Sequence, residues 1–301
     1  MSFPKKTNVS REDKNQIVGG TLYLVATPIG NLADLSPRAL KVLGEVDFIA
    51  AEDTRNSGQM LAHFGISRPM VSYYEHNKRE RGEQIAARIA AGESCALITD
   101  AGTPAISDPG EDLVALCAER GIPVTSIPGA CAAVTALSVS GLPTRRFVFE
   151  GFLTTAKGDK RRRLTELAVE DRTIILYEAP HKLRTTLADL LAAWGDRRIA
   201  LCREITKLNE EIFRTTLAEA AAYYEVNTPR GEYVLIVEGA QPALPSESSY
   251  PDDPCVHVAS LTEAGMSRMD AIKAAAKARG MSKSEFYRLL VDADNAGERA
   301  E

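Results

Sequence analysis

From Thr21 to Gly141 short apolar runs alternate with segments of helical periodicity, and no other feature limits the fold of this chain as strongly. "TLYLVAT", "DFIAAED", "PMVSYYE", "SCALITD" and "PVTSI" read as strands. "SPRALKVLGEV", "SGQMLAHFG", "GEQIAARIAAG", "DPGEDLVALCAERG" and "ACAAVTALSVSG" read as the helices between and after them. Strands that alternate with helices form a parallel sheet covered on both faces. Such sheets bind ligands beyond the carboxyl ends of their strands. The loops at those ends are Thr27 to Leu32, Glu52 to Asn56, Glu75 to Lys78, Asp100 to Pro109 and Pro128 to Cys131.

The second half has another rhythm. "RFVFEGFL", "TIILYEAP", "RIALCREI", "EIFRTTL" and "YVLIVEG" follow in quick succession, with helices near 160–170, 181–194 and 218–225, which implies a mixed sheet. The expected organisation is a polar leader over 1–20, a parallel α/β domain over 21–142 and a second α/β domain over 143–240. A Pro- and Ser-rich linker over 241–254 and a small helical module over 255–301 complete it. With 301 residues there is enough chain for two cores. The leader has no apolar stretch of the kind a secretory signal needs. The longest near-apolar run, Ala130 to Val139, is too short to span a bilayer.

The net charge of -5 argues against a uniformly basic nucleic-acid coat, but not against local basic surfaces. The five cysteines are odd in number and form no CxxC pair, so buried, reduced thiols and a cytoplasmic setting are expected. No His/Cys spacing suits zinc, and no metal is expected. The sequence contains neither GxGxxG nor a Walker A pattern, so a nucleotide held by a glycine turn of those kinds is not implied.

The candidate chemistry lies in the strand-end loops. "ATPIGNLADLSPRAL" has a proline and a glycine suited to close backbone approach, then Ser36 as helix N-cap with Pro37 at the first helical position. "AAEDTRNS" offers Glu52, Asp53 and Arg55, either as a solvated ion network or as a pocket supplying a proton acceptor and a cation. In "LITDAGTPAISDPG" the two aspartates are expected to differ. Asp100 ends a strand and should face the crevice. Asp108, before Pro109, should cap the next helix, so that Asp108→Ala costs about 0.5–2 kcal/mol of stability.

In order along the chain, "LYLVATPIGNLADLSPRAL", "AAEDTR", "LITDAGTPAISDPG", "IPGACAAVTALSVSGLP", "FEGFL", "YEAPHKL" and "GEYVLIVEG" resemble the tetrapyrrole-methylase fold family. Within it they resemble the branch of small-subunit ribosomal RNA methyltransferases. The likeness covers about Thr21 to Gly239. It implies a parallel α/β domain and a mixed-sheet α/β domain with S-adenosyl-L-methionine between them, a homodimer, and 2'-O-methylation of a cytidine in the decoding centre of 16S rRNA. It places the cofactor against Pro28, Ile29, Asp100, Gly102, Thr103, Ile106, Cys131, Ala132, Tyr177, Glu178, Gly231 and Glu232.

Glu52, Asp53, His76 and Glu178 remain open as a general base, with Arg55, His76 and Asn77 as contacts to the target nucleotide. Two basic stretches are either solvated faces or phosphate contacts. One holds Lys157, Lys160, Arg161, Arg162 and Arg163. The other, laid out like a helix-turn-helix with Ser282 to Glu285 as its cap, holds Lys273, Lys277, Arg279, Lys283 and Arg288. The alternative functions are C-methylation of tetrapyrroles, another methyl transfer on the same fold, or non-catalytic binding of ribosomal RNA during assembly.

Overall fold

The computed structural model describes residues 15–241 and 250–297. The chain forms two compact units, one ending at Ala240 and the other starting at Gln241. The expected leader and linker fall largely on 1–14 and 242–249, outside the described residues. The leader's end is fixed to the fold: the Gly20 N–H donates to the carbonyls of Gly92 and Glu93, both at 3.0 Å.

In the larger unit, strands β1 (Leu22–Val25), β2 (Phe48–Ala51), β3 (Met70–Ser72), β4 (Cys95–Ile98) and β5 (Val124–Ile127) form a sheet in the order β3-β2-β4-β1-β5. Every pairing is parallel. Its central strands are apolar at nearly every position because both faces are covered. Helices α1 (Pro37–Glu45) and α2 (Thr54–His63) pack with Tyr23, Val25, Ile49 and Ile98 on one face. Helices α3 (Lys78–Ala90) and α4 (Glu111–Glu119) pack with Leu22, Phe48, Cys95 and Leu97 on the other. Ser36 caps α1 as expected, its Oγ accepting the Ala39 N–H at 3.1 Å.

Strand order reverses between β1 and β4. The chain leaves β1 across β4 toward β2, and leaves β4 across β1 toward β5. The two exits therefore diverge and open a crevice at their carboxyl ends. Thr27 and Gly102 bridge it, with N–H groups donating to each other's carbonyls at 2.9 and 3.1 Å.

The second sheet is mixed, in the order β6-β7-β10-β8-β9. It comprises β6 (Phe147–Phe152), β7 (Thr173–Glu178), β8 (Arg198–Arg203), β9 (Glu211–Thr216) and β10 (Tyr233–Val237). Only β6–β7 is parallel. One face carries α6 (Lys157–Leu167), α7 (Pro180–Trp194) and α8 (Leu217–Val226) over Ile174, Leu176, Leu201 and Leu235. The other face packs Ile175, Ala200, Cys202 and Ile236 against α5 (Ala132–Val139). The small side chains of α5 thus serve the second sheet, although the helix follows the first.

The smaller unit contains α9 (Pro254–Glu263), α10 (Arg268–Ala278) and α11 (Lys283–Gly297) around Val258, Ile272, Ala275 and Phe286. Pro254 already belongs to a helix, so the expected linker ends earlier. Ser282 and Glu285 form the expected capping box: the Ser282 N–H donates to Glu285 Oε2 at 2.9 Å and the Glu285 N–H to Ser282 Oγ at 3.3 Å.

One local expectation is overturned. Asp108 does not cap α4. That helix starts at Glu111 with Gly110 as its N-cap, at φ 145°, and no side chain closes the cap. A Cβ on Gly110 would lie 3.0 Å from both Ala105 Cβ and Leu97 Cδ2, so only glycine fits this entry without displacing its neighbours. Glu111 and Asp112 place negative charge at the helix start instead.

Candidate active site

Within the larger unit a cleft of about 330 Å³ lies where the carboxyl ends of the parallel strands face the second sheet. The first sheet contributes Ile29 after β1, Glu52 after β2, the Asp100–Thr103 and Ile106–Asp108 stretches after β4, and Cys131 after β5. The second contributes Phe152, Tyr177, Glu178, Glu204 and Glu232. Strand-end backbone, not long side chains, fixes this wall. The Thr103 hydroxyl donates to the Ala130 carbonyl at 3.0 Å, tying the β4 loop to the β5 loop. A Cβ on Gly102, at φ 88°, would approach Ile29 Cγ2 to 3.3 Å.

The apolar side is built around Tyr177. Its ring meets Phe149 and Phe152 edge-on at 5.2 and 5.5 Å, and its hydroxyl accepts the Ala133 N–H at 3.2 Å. Burial, with the neighbouring Cys131 adding to it, pushes the phenol up to about 12. Phe152 nevertheless keeps 59% of its surface in water, an aromatic edge at the cleft mouth.

The acidic side holds Glu52, Asp100 and Asp108. The buried Thr99 hydroxyl donates to Glu52 Oε2 at 2.8 Å. Asp100 accepts the Asp53 N–H and Asn56 Nδ2, both at 3.3 Å. Asp108, expected to be purely structural, lines the cleft instead. Burial and the negative charges of Glu52 and Asp100 raise its carboxyl to about 6, although Thr99 within hydrogen-bonding reach pulls the other way. Among the described residues, no group of three or more His, Cys, Asp or Glu is arranged to hold a metal ion.

Ten of the twelve residues expected at the cofactor line this one cleft: Ile29, Asp100, Gly102, Thr103, Ile106, Cys131, Ala132, Tyr177, Glu178 and Glu232. Pro28 and Gly231 are not in its lining. A Cβ on Gly231, at φ 74°, would collide with Glu204, so this glycine makes room for the neighbouring wall. Glu178 is 5% exposed and fully engaged: Oε1 accepts the Ala179 N–H at 2.9 Å and Oε2 the Thr186 hydroxyl at 2.5 Å.

The expected catalytic group is only partly assembled. Glu52 is in the cleft. Asp53 caps α2 and pairs with Arg55, and these hydrogen bonds hold its carboxyl down at about 2. The Arg55 side chain is 86% exposed. His76 is exposed beside Tyr74, ring centroids 6.3 Å apart, and Asn77 Oδ1 accepts the Tyr74 N–H at 2.8 Å. None of Asp53, Arg55, His76 and Asn77 is in the cleft lining.

Sequence reasoning missed Asp108, Glu204 and Lys207. Lys207 Nζ joins Glu204 and Glu232, each at 2.8 Å, closing one rim of the cleft. The clue to Asp108 was Gly110: a proline–glycine step can start a helix without a side-chain cap, releasing the preceding acid.

The basic stretches divide. On α6, Lys160 pairs with Asp189 at 2.7 Å, and Arg163 clasps Glu150 and Glu166 at 2.6 and 2.9 Å. Arg162 pairs with Asp159 at 3.0 Å. Lys157 and Arg161 are exposed and carry no ion pair among the described residues. In the smaller unit Arg279 is structural. It donates to the carbonyls of Pro251 and Asp252 at 2.6 and 3.1 Å and lies 4.5 Å over the Tyr250 ring. Lys273, Lys277, Lys283 and Arg288 are exposed.

Residues 21–221 match the family of Tetrapyrrole (Corrin/Porphyrin) Methylases. Among curated proteins, the chain is 47% identical to "Ribosomal RNA small subunit methyltransferase I" of Synechocystis sp., over 92% of this chain and 100% of that one. It is 42% identical to the protein of the same name from Escherichia coli O157:H7, over 91% and 95%. Among solved structures, a cobalt precorrin-4 methyltransferase superposes with a TM-score of 0.56 at 17% identity, covering 74% of this chain and 97% of that one. Diphthine synthase gives 0.56 at 14%, covering 72% and 90%. At such identities these structures speak for the fold alone.

Proposed function

The chain belongs to the tetrapyrrole methylase family, and from that premise we propose that it transfers a methyl group from S-adenosyl-L-methionine to the ribose 2'-oxygen of a cytidine in the decoding centre of 16S rRNA. One observation carries this reading. Two proteins named for ribosomal RNA small subunit methylation are 47% and 42% identical to this chain over 92% and 91% of it, reaching past the residues of the family match. The family match itself stops at residue 221, short of the smaller unit. A small macrocycle gives no reason for a helical module with exposed Lys273, Lys277, Lys283 and Arg288; a polyphosphate substrate does.

The cleft suits the cofactor on its own chemistry. S-adenosyl-L-methionine supplies an electrophilic methyl group on a positively charged sulfur. Ile29, Ile106, Tyr177 and the Cys131–Ala132 turn offer the apolar wall that such an amphipathic molecule needs. Glu52 and Asp100 offer negative charge toward a cation, and Gly102 leaves the space that a side chain would fill. Asp100 lies at a strand end, where a carboxylate is placed to accept from a ribose hydroxyl or an ammonium group. Gly231 makes room for Glu204 in that wall.

Holding both reactants in one cleft supplies part of the rate acceleration, up to about 7–11 kcal/mol in the best model systems. The exposed Lys157 and Arg161 of α6 follow Phe152 along the chain from the cleft mouth, where they can meet backbone phosphates of the bound RNA. Contacts of this kind read RNA by shape and charge, not by base. A homodimer acting on small subunits in the cytoplasm completes the reading, and light scattering of the purified protein tests the dimer.

The direct test incubates purified protein with small ribosomal subunits lacking the modification and tritiated S-adenosyl-L-methionine, then maps the label. The expected result is one labelled cytidine in 16S rRNA, with the label on the ribose. Label on a base, or transfer to a tetrapyrrole but not to subunits, would refute the reading.

A further inference from the structure

We propose that Asp108 is the catalytic base, the group that takes the proton from the attacking ribose hydroxyl; this rests on the ribose-methylation reading above. The first argument is that its carboxyl has been released from structural work. The sequence position suits an N-cap, yet α4 starts at Glu111, three residues later, with no side-chain cap, and Asp108 lines the cleft.

The loop that presents it is held in an unfavourable conformation. Ala105 and Ser107 are non-glycine residues at φ 67° and 62°, flanking Ile106 of the cleft wall. Strained residues persist where surrounding structure over-determines them, and they cluster at functional sites. Here the restraint is visible on both sides of Asp108. Gly110 packs against Ala105 and Leu97 with no space for a side chain. Ser107 Oγ lies 2.8 Å from where Gly151 would carry a Cβ, at the bulge of β6 in the opposite sheet. The cleft's two walls thus pin the loop, and Asp108 lies between the pins.

The second argument is elimination among the acids near the cleft. Glu178 has both oxygens filled by donors. Asp53 is held far too acidic by Arg55 to accept a proton usefully. Glu204 and Glu232 both pair with Lys207. Asp100 is exposed and accepts from Asn56 and the Asp53 backbone. Glu52 accepts the Thr99 hydroxyl.

Asp108 differs from all of them. The groups facing it are Thr99, Glu52 and Asp100 on the first sheet and Tyr177 on the second, and no cation is among them. Its carboxyl, at about 6, is ionised at neutral pH yet basic enough to take a proton, the condition a general base must meet.

The balance of the step is simple. The ribose O–H bond breaks and its proton passes to the Asp108 carboxylate. The oxygen's electron pair forms the bond to the methyl carbon. The carbon–sulfur bond breaks with its electrons left on sulfur, which becomes a neutral thioether. One positive and one negative charge disappear together inside a partly apolar cleft, and the proton later leaves to water.

The test uses the full chain, unmethylated small subunits and tritiated S-adenosyl-L-methionine, comparing wild type, Asp108→Asn and Asp108→Glu. Single-turnover rates are measured across pH, cofactor affinity by calorimetry and folding by urea denaturation. Asp108→Asn is expected to bind the cofactor within about threefold of wild type but to transfer roughly 10²–10⁴-fold more slowly. The wild-type rate should rise through about pH 6. Asp108→Asn should lose that rise, and Asp108→Glu should recover at least about tenfold of the lost rate. Asp108→Asn rates within about fivefold of wild type, or a cofactor affinity that falls as far as the rate, would overturn the assignment. If the wild type itself places no label on ribose, the reaction assignment falls, and the role of Asp108 with it.

Discussion

Replacing Asp108 by asparagine should make the protein more stable at neutral pH, by an amount that depends on pH. The carboxyl is raised from an ordinary 3.8 to about 6, chiefly by burial. The unfolded chain therefore gives up this proton at lower pH than the folded one does. Any stability tied to the protonated form is complete below about pH 4, declines as pH rises through about 6, and is absent above. At 1.36 kcal/mol per tenfold change the full effect would be about 3 kcal/mol. Asp108 keeps part of its surface in water, so solvent screening reduces this to about 1–2 kcal/mol. Asparagine cannot ionise and escapes the penalty. The two proteins should then be equally stable near pH 4, with Asp108→Asn ahead by about 1–2 kcal/mol at pH 7.5. For a unit of this size that corresponds to a midpoint about 2–8 °C higher. Urea denaturation followed by fluorescence of Trp194, the chain's single tryptophan and a member of the second core, measures this for the larger unit. A variant no more stable than wild type at pH 7.5, or a gap that does not change with pH, would show that Asp108 carries no burial penalty.

Other outcomes can be checked on the same proteins. Asp100→Ala should weaken binding of S-adenosyl-L-methionine at least about tenfold by calorimetry, the loss of a hydrogen bond to a charged group; unaltered affinity would remove Asp100 from the cofactor wall. Charge reversal at Lys157 and Arg161 together should weaken subunit binding and flatten its salt dependence while leaving cofactor affinity intact; an unaltered salt slope would place RNA elsewhere. Deletion of residues 241–301 should preserve cofactor binding, because the cleft is built wholly within the larger unit, and should weaken binding to subunits; lost cofactor affinity would mean that the module supports the fold.

Local patterns were legible wherever one physical requirement set them. The cap at Ser36 with Pro37 needs only neighbouring residues, and the structure contains it. The same holds for the capping box at Ser282 and Glu285. The Asp-Pro-Gly step resembled such a start and was not one, because Gly110 entered α4 at a positive φ that a local pattern does not reveal. The charge run on α6 read as five equivalent cations. Three of them are paired: Arg162 with Asp159 on its own helix, and Lys160 and Arg163 with Asp189 and Glu150, whose nearness depends on how the helix lies on its sheet. Arg279, expected as a phosphate contact, donates to the Pro251 and Asp252 carbonyls and lies over the Tyr250 ring, contacts that only the folded module brings together.

By itself the sequence determined the parallel sheet, the mixed sheet and the strand ends that line the cleft, because side-chain periodicity and loop chemistry are encoded over a few residues. Its motifs also pointed to the family. Only the tertiary structure decided what each acid is for. Asp53, Asp100, Asp108 and Glu178 are all acids at or near strand ends, and their character comes from which groups the fold brings to each carboxylate. Arg55 neutralises the first, Asn56 and solvent share the second, and Thr186 and Ala179 occupy the last. Asp108 alone is left half-buried among other negative charges. Burial and the approach of like charges are properties of packing, and they separate four chemically similar side chains into a cap, a wall, a brace and a base.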